Sequence, residues 1–209
     1  MEILFPLFLK LKGRKCLVVG AGEIGESKIA SLLDAGGSLQ VVAPCATDNV
    51  QEWAREGQVH WQKRKFRDAD LAGCFLVIAA TSSSKLHKQI FGLARRLGVL
   101  CNVMDVPELC DFYYPAVVRR GSLQVAVSTG GESPALAQRL RKELEEQFGP
   151  EYGQWVAELG KIRKRIRASS KEAANQKKQL HELASKESFR KFQKRRKKYT
   201  TVRHPETLA

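Results

Sequence analysis

No apolar run in this 209-residue sequence approaches the roughly 18 residues that a membrane-spanning helix needs. The opening MEILFPLFLKLKGRK is apolar but brief, and it lacks the basic start and the small-residue cleavage site of a secretory leader. It predicts a chain end packed on a sheet. Cysteine pairing is also missing. Cys16, Cys45, Cys74, Cys101 and Cys110 are scattered with no C-x-x-C among them, so they predict buried free thiols in a reducing cytoplasm. His60, His87, His181 and His204 stand apart and make no metal-ligand pattern, so no metal site is expected. No internal repeat is visible, and the apolar fraction of 43% is that of an ordinary globular chain.

Acidic residues are scarce in one region. Residues 1–160 hold 19 basic and 18 acidic side chains, whereas residues 161–209 hold 17 basic and 4 acidic. The body is near neutral, and the tail carries almost all of the net charge of +14. Such a tail attracts nucleic acid, a membrane surface or a polyanionic ligand, or it is a solvated helical surface with no partner.

The pattern that is present begins at Lys15. Lys15–Gly20 reads as a buried strand, Glu23–Ala35 as a helix closed by Gly36-Gly37, and Leu39–Ala43 as a second strand. Asp48–Arg55 reads as a short helix with Thr47 or Asp48 as N-cap, and Val59–Trp61 as a third strand. Cys74–Ala80 is a strand-length apolar run, Ser84–Leu97 a helix ending at Gly98, and Val99–Val103 a fifth strand. Strands alternating with helices predict an α/β, Rossmann-like, doubly wound parallel sheet. After Pro107, YYPAVVRRGSLQVAVSTGG reads as two strands joined at Arg120-Gly121-Ser122. A helix follows, with Ser133 as N-cap, Pro134 at its first position and Gly149-Pro150 at its end. From Tyr152 onward the composition predicts two or three helices with few apolar residues, the last loosening at its end. The expected domains are 1–111, 112–150 and 151–209.

Gly20, Gly22 and Gly25 fit G-x-G-x-x-G between a strand and a helix. The first permits a tight turn, the second lets a pyrophosphate approach the backbone, and the third lets helix pack on strand. Free N–H groups near Glu23 and Ile24 would face that anion. The acid expected about 20 residues on, which would hold a ribose hydroxyl, is absent. The second strand ends Val41-Val42-Ala43-Pro44-Cys45, with neither a carboxylate nor a cation for a 2′-phosphate. NAD is therefore favoured over NADP, with ribose contacts from backbone around Pro44 and Cys45. Ligands of open α/β sheets lie beyond the carboxyl ends of the strands, where Asp105 follows the fifth. It reads equally as a catalytic carboxylate or as a turn cap before Pro107.

Three segments, LFLKLKGRKCLVVGAGEIGESKIASLLDAG, LVIAATSS and CNVMDVPELCDFYYPAVVRRGSLQVAVSTGGESPALAQRLRKELE, together resemble the precorrin-2 dehydrogenase family. That family forms the N-terminal half of siroheme synthase and includes stand-alone dehydrogenases and bifunctional dehydrogenase–ferrochelatases. The similarity covers residues 1–150 well and the tail loosely. N-V-x-D, F-x-x-P-A and S-T-G-G-x-S-P-x-L-A, in that order, carry it. The resemblance implies NAD-dependent oxidation of precorrin-2 to sirohydrochlorin, with Fe²⁺ insertion as a further step in some relatives and Fe²⁺ or Co²⁺ as candidate metal substrates here. It implies cofactor contacts at Glu23, Ile24, Pro44 and Cys45, and a catalytic aspartate at Asp105. It places Ser128 and Thr129, with Gly130, near the substrate. Arg119, Arg120, Arg139, Arg141 and Lys142 are candidate partners for the substrate's carboxylates, or ordinary surface charge. Where the family commonly has G-G-G-x-V-A, this chain has Gly-Ala-Gly-Glu-Ile-Gly, nearer the general dinucleotide loop. The resemblance also implies a homodimer, with the AVVRRGSLQVAV hairpin as its element. Over these 209 residues no fused methyltransferase domain is expected. The competing class is an NAD-sensing module whose basic tail binds nucleic acid or a partner. It accounts better for the tail, but gives Asp105 and the S-T-G-G-E-S-P segment no role.

Overall fold

The computed structural model describes residues 3–169 and 172–203, the last seven by backbone alone. The expected loosening of the final helix and His204 lie outside the described residues. The chain divides into two compact units between Tyr114 and Pro115. The expected boundary between residues 150 and 151 falls inside the second unit.

In the first unit, β1 (Lys15–Ala21), β2 (Ser38–Ala46), β3 (Val59–Gln62), β4 (Leu76–Ala79) and β5 (Leu100–Val103) form one parallel sheet. Its order is β3-β2-β1-β4-β5. β1 and β4 are apolar on both sides because both faces of the sheet are covered. α1 (Glu23–Asp34) and α2 (Asp48–Arg55) cover one face, packing Ile29, Leu32 and Val50 on Val18, Val41 and Ile78. α3 (Ser84–Leu97) covers the other, packing Ile90 and Ala94 on Leu17, Val77 and Cys101. α3 starts where Ser83 accepts the Leu86 N–H and stops where Gly98 takes a left-handed φ of 67°.

Two expectations need correcting here. The chain end does not pack on the sheet: Ile3 is 95% exposed and Phe5 83%, and burial begins at Leu11. Only Leu11 of this segment joins the core, in the cluster with Cys16, Leu32 and Leu39. The thiols are not all buried either. Cys16, Cys74 and Cys101 are, and burial pushes Cys16 up to about 11 and Cys101 up to about 12. Cys110 is half-buried, and Cys45 is exposed.

The second unit begins with the hairpin β6 (Ala116–Arg120) and β7 (Leu123–Val127), followed by α4 (Pro134–Gln147) and α5 (Glu151–Arg167). Gly121 turns the hairpin at φ 59°. Gly153 lets α5 lie on that turn, since a Cβ there would come within 3.0 Å of the Arg120 carbonyl. The basic tail folds into α5, α6 (Ala173–Leu183) and α7 (Lys186–Arg203). It is less polar inside than its composition predicts. The Tyr152, Trp155 and Phe189 rings meet, with Tyr152–Phe189 at 4.3 Å and Trp155–Phe189 at 4.7 Å, and Phe192 is 6% exposed. Phe192→Ala should cost this unit about 3 kcal/mol, read by urea unfolding, and leave NAD⁺ binding by the first unit intact. Loss of NAD⁺ binding in a folded Phe192→Ala protein would show that the tail serves the cofactor.

Candidate active site

Because all five strands are parallel, their carboxyl ends share one edge of the sheet. Four of those ends carry chemistry. After β1, Gly20 has φ 101°, and a Cβ there would strike the Ala80 carbonyl. A Cβ on Gly25 would lie 2.9 Å from the Gly20 carbonyl carbon. These two glycines are required by the packing of loop, helix and strand. Gly22 differs: its φ of −77° suits any residue, and nothing lies within 4 Å of where its Cβ would be. An approaching ligand gives that position a reason to lack a side chain, beside the ordinary preference for glycine at a helix N-cap. Gly22 is also the N-cap of α1 and makes no side-chain cap, so the first N–H groups of the helix, near the exposed Glu23 and Ile24, point outward unpaired.

The end of β2 departs from a plain strand. Val19 pairs with Val42 and Ala21 with Ala46, so β2 has two more residues than β1 across this interval. The excess bulges Pro44 and Cys45 into solvent at the sheet edge, which is why Cys45 is the exposed thiol. The Ala43 carbonyl is taken by the Trp61 indole N–H at 3.0 Å. Beyond β4, the Thr81 hydroxyl is buried and has no hydrogen-bond partner among the described residues. Its methyl group would be 3.2 Å from a Gly20 Cβ, so it lies against the loop. An open Gly22, unpaired helix-start N–H groups and an orphaned buried hydroxyl fit a dinucleotide. Alkylation supplies a test. Iodoacetamide should modify Cys45 first, and NAD⁺ should slow that reaction; an unchanged rate at saturating NAD⁺ would remove Pro44 and Cys45 from the cofactor contacts.

β5 ends in a turn closed by the Val106 N–H to the Val103 carbonyl at 3.3 Å. Inside it Asp105 has φ 61°, the one non-glycine residue with positive φ among the described residues. Asp105 is exposed, and its carboxylate makes no hydrogen bond among the described residues, so it caps nothing. The turn is braced from outside. The Cys110 sulfur lies 3.1 and 3.3 Å from the Val103 and Val106 carbonyls, which share its single S–H donor. Asn102, buried, donates to the Phe112 carbonyl at 2.7 Å, and Asp111 accepts the Cys101 N–H at 2.9 Å. These bonds give the Asn of N-V-x-D a structural reason and pin residues 110–112 beside β5. Tyr114 then meets Lys28 of α1, whose ammonium lies 4.1 Å from the ring centre.

In the second unit, Ser128 accepts the Gly130 N–H at 3.2 Å and Thr129 accepts the Ser133 N–H at 3.0 Å. Gly130 and Gly131 both have positive φ, 63° and 91°. Each hydroxyl keeps its own proton to donate. The arginines separate in role. Arg120 donates to the Phe148 carbonyl at 2.8 Å and the Glu145 carbonyl at 3.2 Å, closing the end of α4. Arg139 and Arg141 pair with Glu143 and Glu145 along α4. Arg119 and Lys142 are exposed. No group of three His, Cys, Asp or Glu side chains that could hold a metal occurs among the described residues, and none of their helices is long and apolar enough to cross a membrane.

A family model described as NAD(P)-binding matches residues 7–116, just over half of the chain, and one described as "Sirohaem biosynthesis protein central" matches residues 120–147. The chain belongs to this NAD(P)-binding family. The siroheme synthase of Nitrosococcus oceani is 43% identical over 162 residues, which cover 78% of this chain and 35% of that protein. That of Pseudomonas fluorescens is 41% identical over 167 residues, covering 80% and 36%. The chain thus spans about a third of the length of these curated relatives. The solved structure of SirC, a precorrin-2 dehydrogenase, matches with a TM-score of 0.73 at 27% identity, covering 88% of this chain and 90% of that one.

Thr81, Asn102, Lys28 and Tyr114 have no role in the sequence pattern and gain one only in the folded chain. Thr81 and Asn102 stand in the quoted motifs LVIAATSS and N-V-x-D and were legible as positions without roles. Lys28 and Tyr114 are far apart in the chain and no spacing connects them.

Proposed function

We propose that this chain oxidises precorrin-2 to sirohydrochlorin with NAD⁺. The observation that carries the proposal is Asp105: an exposed carboxylate with no hydrogen bond of its own, held in a left-handed turn on the edge that carries the glycine loop. Backbone strain of this kind gathers at functional sites. The likeness to SirC over 88% of the chain supports the substrate, and the NAD(P)-binding family supports the cofactor class. NAD is proposed over NADP because Pro44, Cys45, Ala46 and Thr47 offer no cation to a 2′-phosphate.

NAD⁺, when bound, supplies the hydride acceptor. The chain's own residues do the rest. The α1 N-terminus at Gly22–Ile24 meets the pyrophosphate, and Pro44 and Cys45 offer backbone to the ribose. Asp105 accepts the proton that leaves the macrocycle as it is oxidised. In the second unit, Arg119 and the Ser128 and Thr129 hydroxyls are proposed donors to the carboxylate arms of the substrate. Arg120 is not, because its guanidinium closes α4. We further propose a cytoplasmic homodimer, with the free edge of the β6–β7 hairpin as its contact.

A ligand titration tests the reading. Sirohydrochlorin should bind at ordinary salt with a shift in its visible spectrum. Nucleic-acid binding that falls steeply with salt, and no spectral shift, would favour the NAD-sensing module instead.

A further inference from the structure

Lys28 stands outside the residues assigned to the cofactor, and its setting is unusual for a helix-surface lysine. It lies about one turn beyond Gly25 on α1. The side chain is half-buried, and its ammonium makes no ion pair among the described residues. The Tyr114 ring holds it from below at 4.1 Å, a cation–π contact. Tyr114 packs its ring against Phe112, 5.8 Å between centroids, and the Phe112 carbonyl is held to β5 by Asn102. The ring is partly open, but its hydroxyl is crowded by protein, which lifts its proton affinity, so it stays neutral and offers the ammonium no charge.

Burial lowers the proton affinity of the Lys28 ammonium, and Asp105 pulls it back up, so the two groups are within electrostatic reach. A cation that is partly desolvated and unpaired is costly unless an anion meets it during function. The pyrophosphate is met by the backbone at Gly22–Ile24, before Lys28 on the helix. The substrate of the proposed reaction carries many carboxylates.

We propose that Lys28, seated on the Tyr114 ring, anchors one carboxylate arm of the tetrapyrrole and so presents the macrocycle to Asp105. The inference rests on the dehydrogenase reading. It makes Lys28 a binding residue for substrate and leaves the cofactor to the glycine loop.

The test titrates sirohydrochlorin into the full chain, followed by its visible spectrum, in the wild type, Lys28→Met and Lys28→Arg. Methionine keeps an apolar stem over Tyr114 and removes the charge. Loss of a charge-assisted hydrogen bond should raise the sirohydrochlorin Kd about 10- to 100-fold in Lys28→Met. Lys28→Arg should recover most of that affinity, and NAD⁺ affinity by calorimetry should be the same in all three. Equal sirohydrochlorin binding by wild type and Lys28→Met overturns the inference. A parallel loss of NAD⁺ affinity also overturns it, because the lysine would then serve the cofactor or the fold. A wild-type protein that binds NAD⁺ but no sirohydrochlorin rejects the dehydrogenase reading itself, and the anchor with it.

Discussion

Asp105→Asn should slow precorrin-2 oxidation about 10²- to 10⁴-fold and leave NAD⁺ affinity unchanged, because a positioned general base contributes a factor of that size. Asparagine keeps the size of the side chain and tolerates the left-handed turn, but it cannot take a proton. Asp105→Gly separates chemistry from strain. Glycine adopts φ near 61° without penalty, so stability should rise by about 1 kcal/mol in thermal or urea unfolding while oxidation falls as in the asparagine variant. The two effects moving in opposite directions would mark Asp105 as a residue held for function. Near-normal oxidation by Asp105→Asn would reduce it to a turn residue, and the proton would have to leave through the substrate's own carboxylates.

Gly22→Asp should abolish NAD⁺ binding and leave the fold standing. The φ of −77° accepts any residue, and no protein atom lies within 4 Å of the new Cβ, so nothing inside the molecule resists the change. The carboxylate would occupy the space kept for the pyrophosphate and repel it. Gly20→Ala is the contrasting substitution. There φ is 101° and the Ala80 carbonyl is in the way, so stability should fall first and binding with it. Calorimetry with NAD⁺, paired with thermal unfolding, separates the two cases. Unchanged NAD⁺ affinity in Gly22→Asp would remove the cofactor from this loop.

Much of the first unit was legible because its boundaries carry local chemistry. Asp48–Arg55 and Ser84–Leu97 agree with the expected helices residue for residue: Ser83 and Gly98 are end signals that act over a few residues, and Thr47 stands at the N-cap of α2 without a side-chain cap bond. Ser133 and Pro134 opened α4 for the same reason. What escaped was non-local. β2 outruns its apolar run because Ala46 pairs with Ala21 across a bulge, and a proline within the run hides that pairing. The aromatic core of the tail did leave a signal, since Tyr152 and Trp155, like Phe189 and Phe192, are three apart and share a helix face. The high positive charge obscured it. Arg120 reads as a free cation in sequence, and only the folded hairpin brings it to the carbonyls at the end of α4. The left-handed turn at Asp105 has no composition signature, because it is imposed by the Cys110 thiol and the Val103–Val106 closure around it.

The most direct measurement is anaerobic turnover: purified full chain, precorrin-2 and NAD⁺, with NADH and sirohydrochlorin followed together by absorbance. Both should appear in equal amounts, at a rate that depends on NAD⁺ and collapses in Asp105→Asn. Binding of NAD⁺ without any NADH formation from precorrin-2, under conditions where the protein is folded, would contradict it.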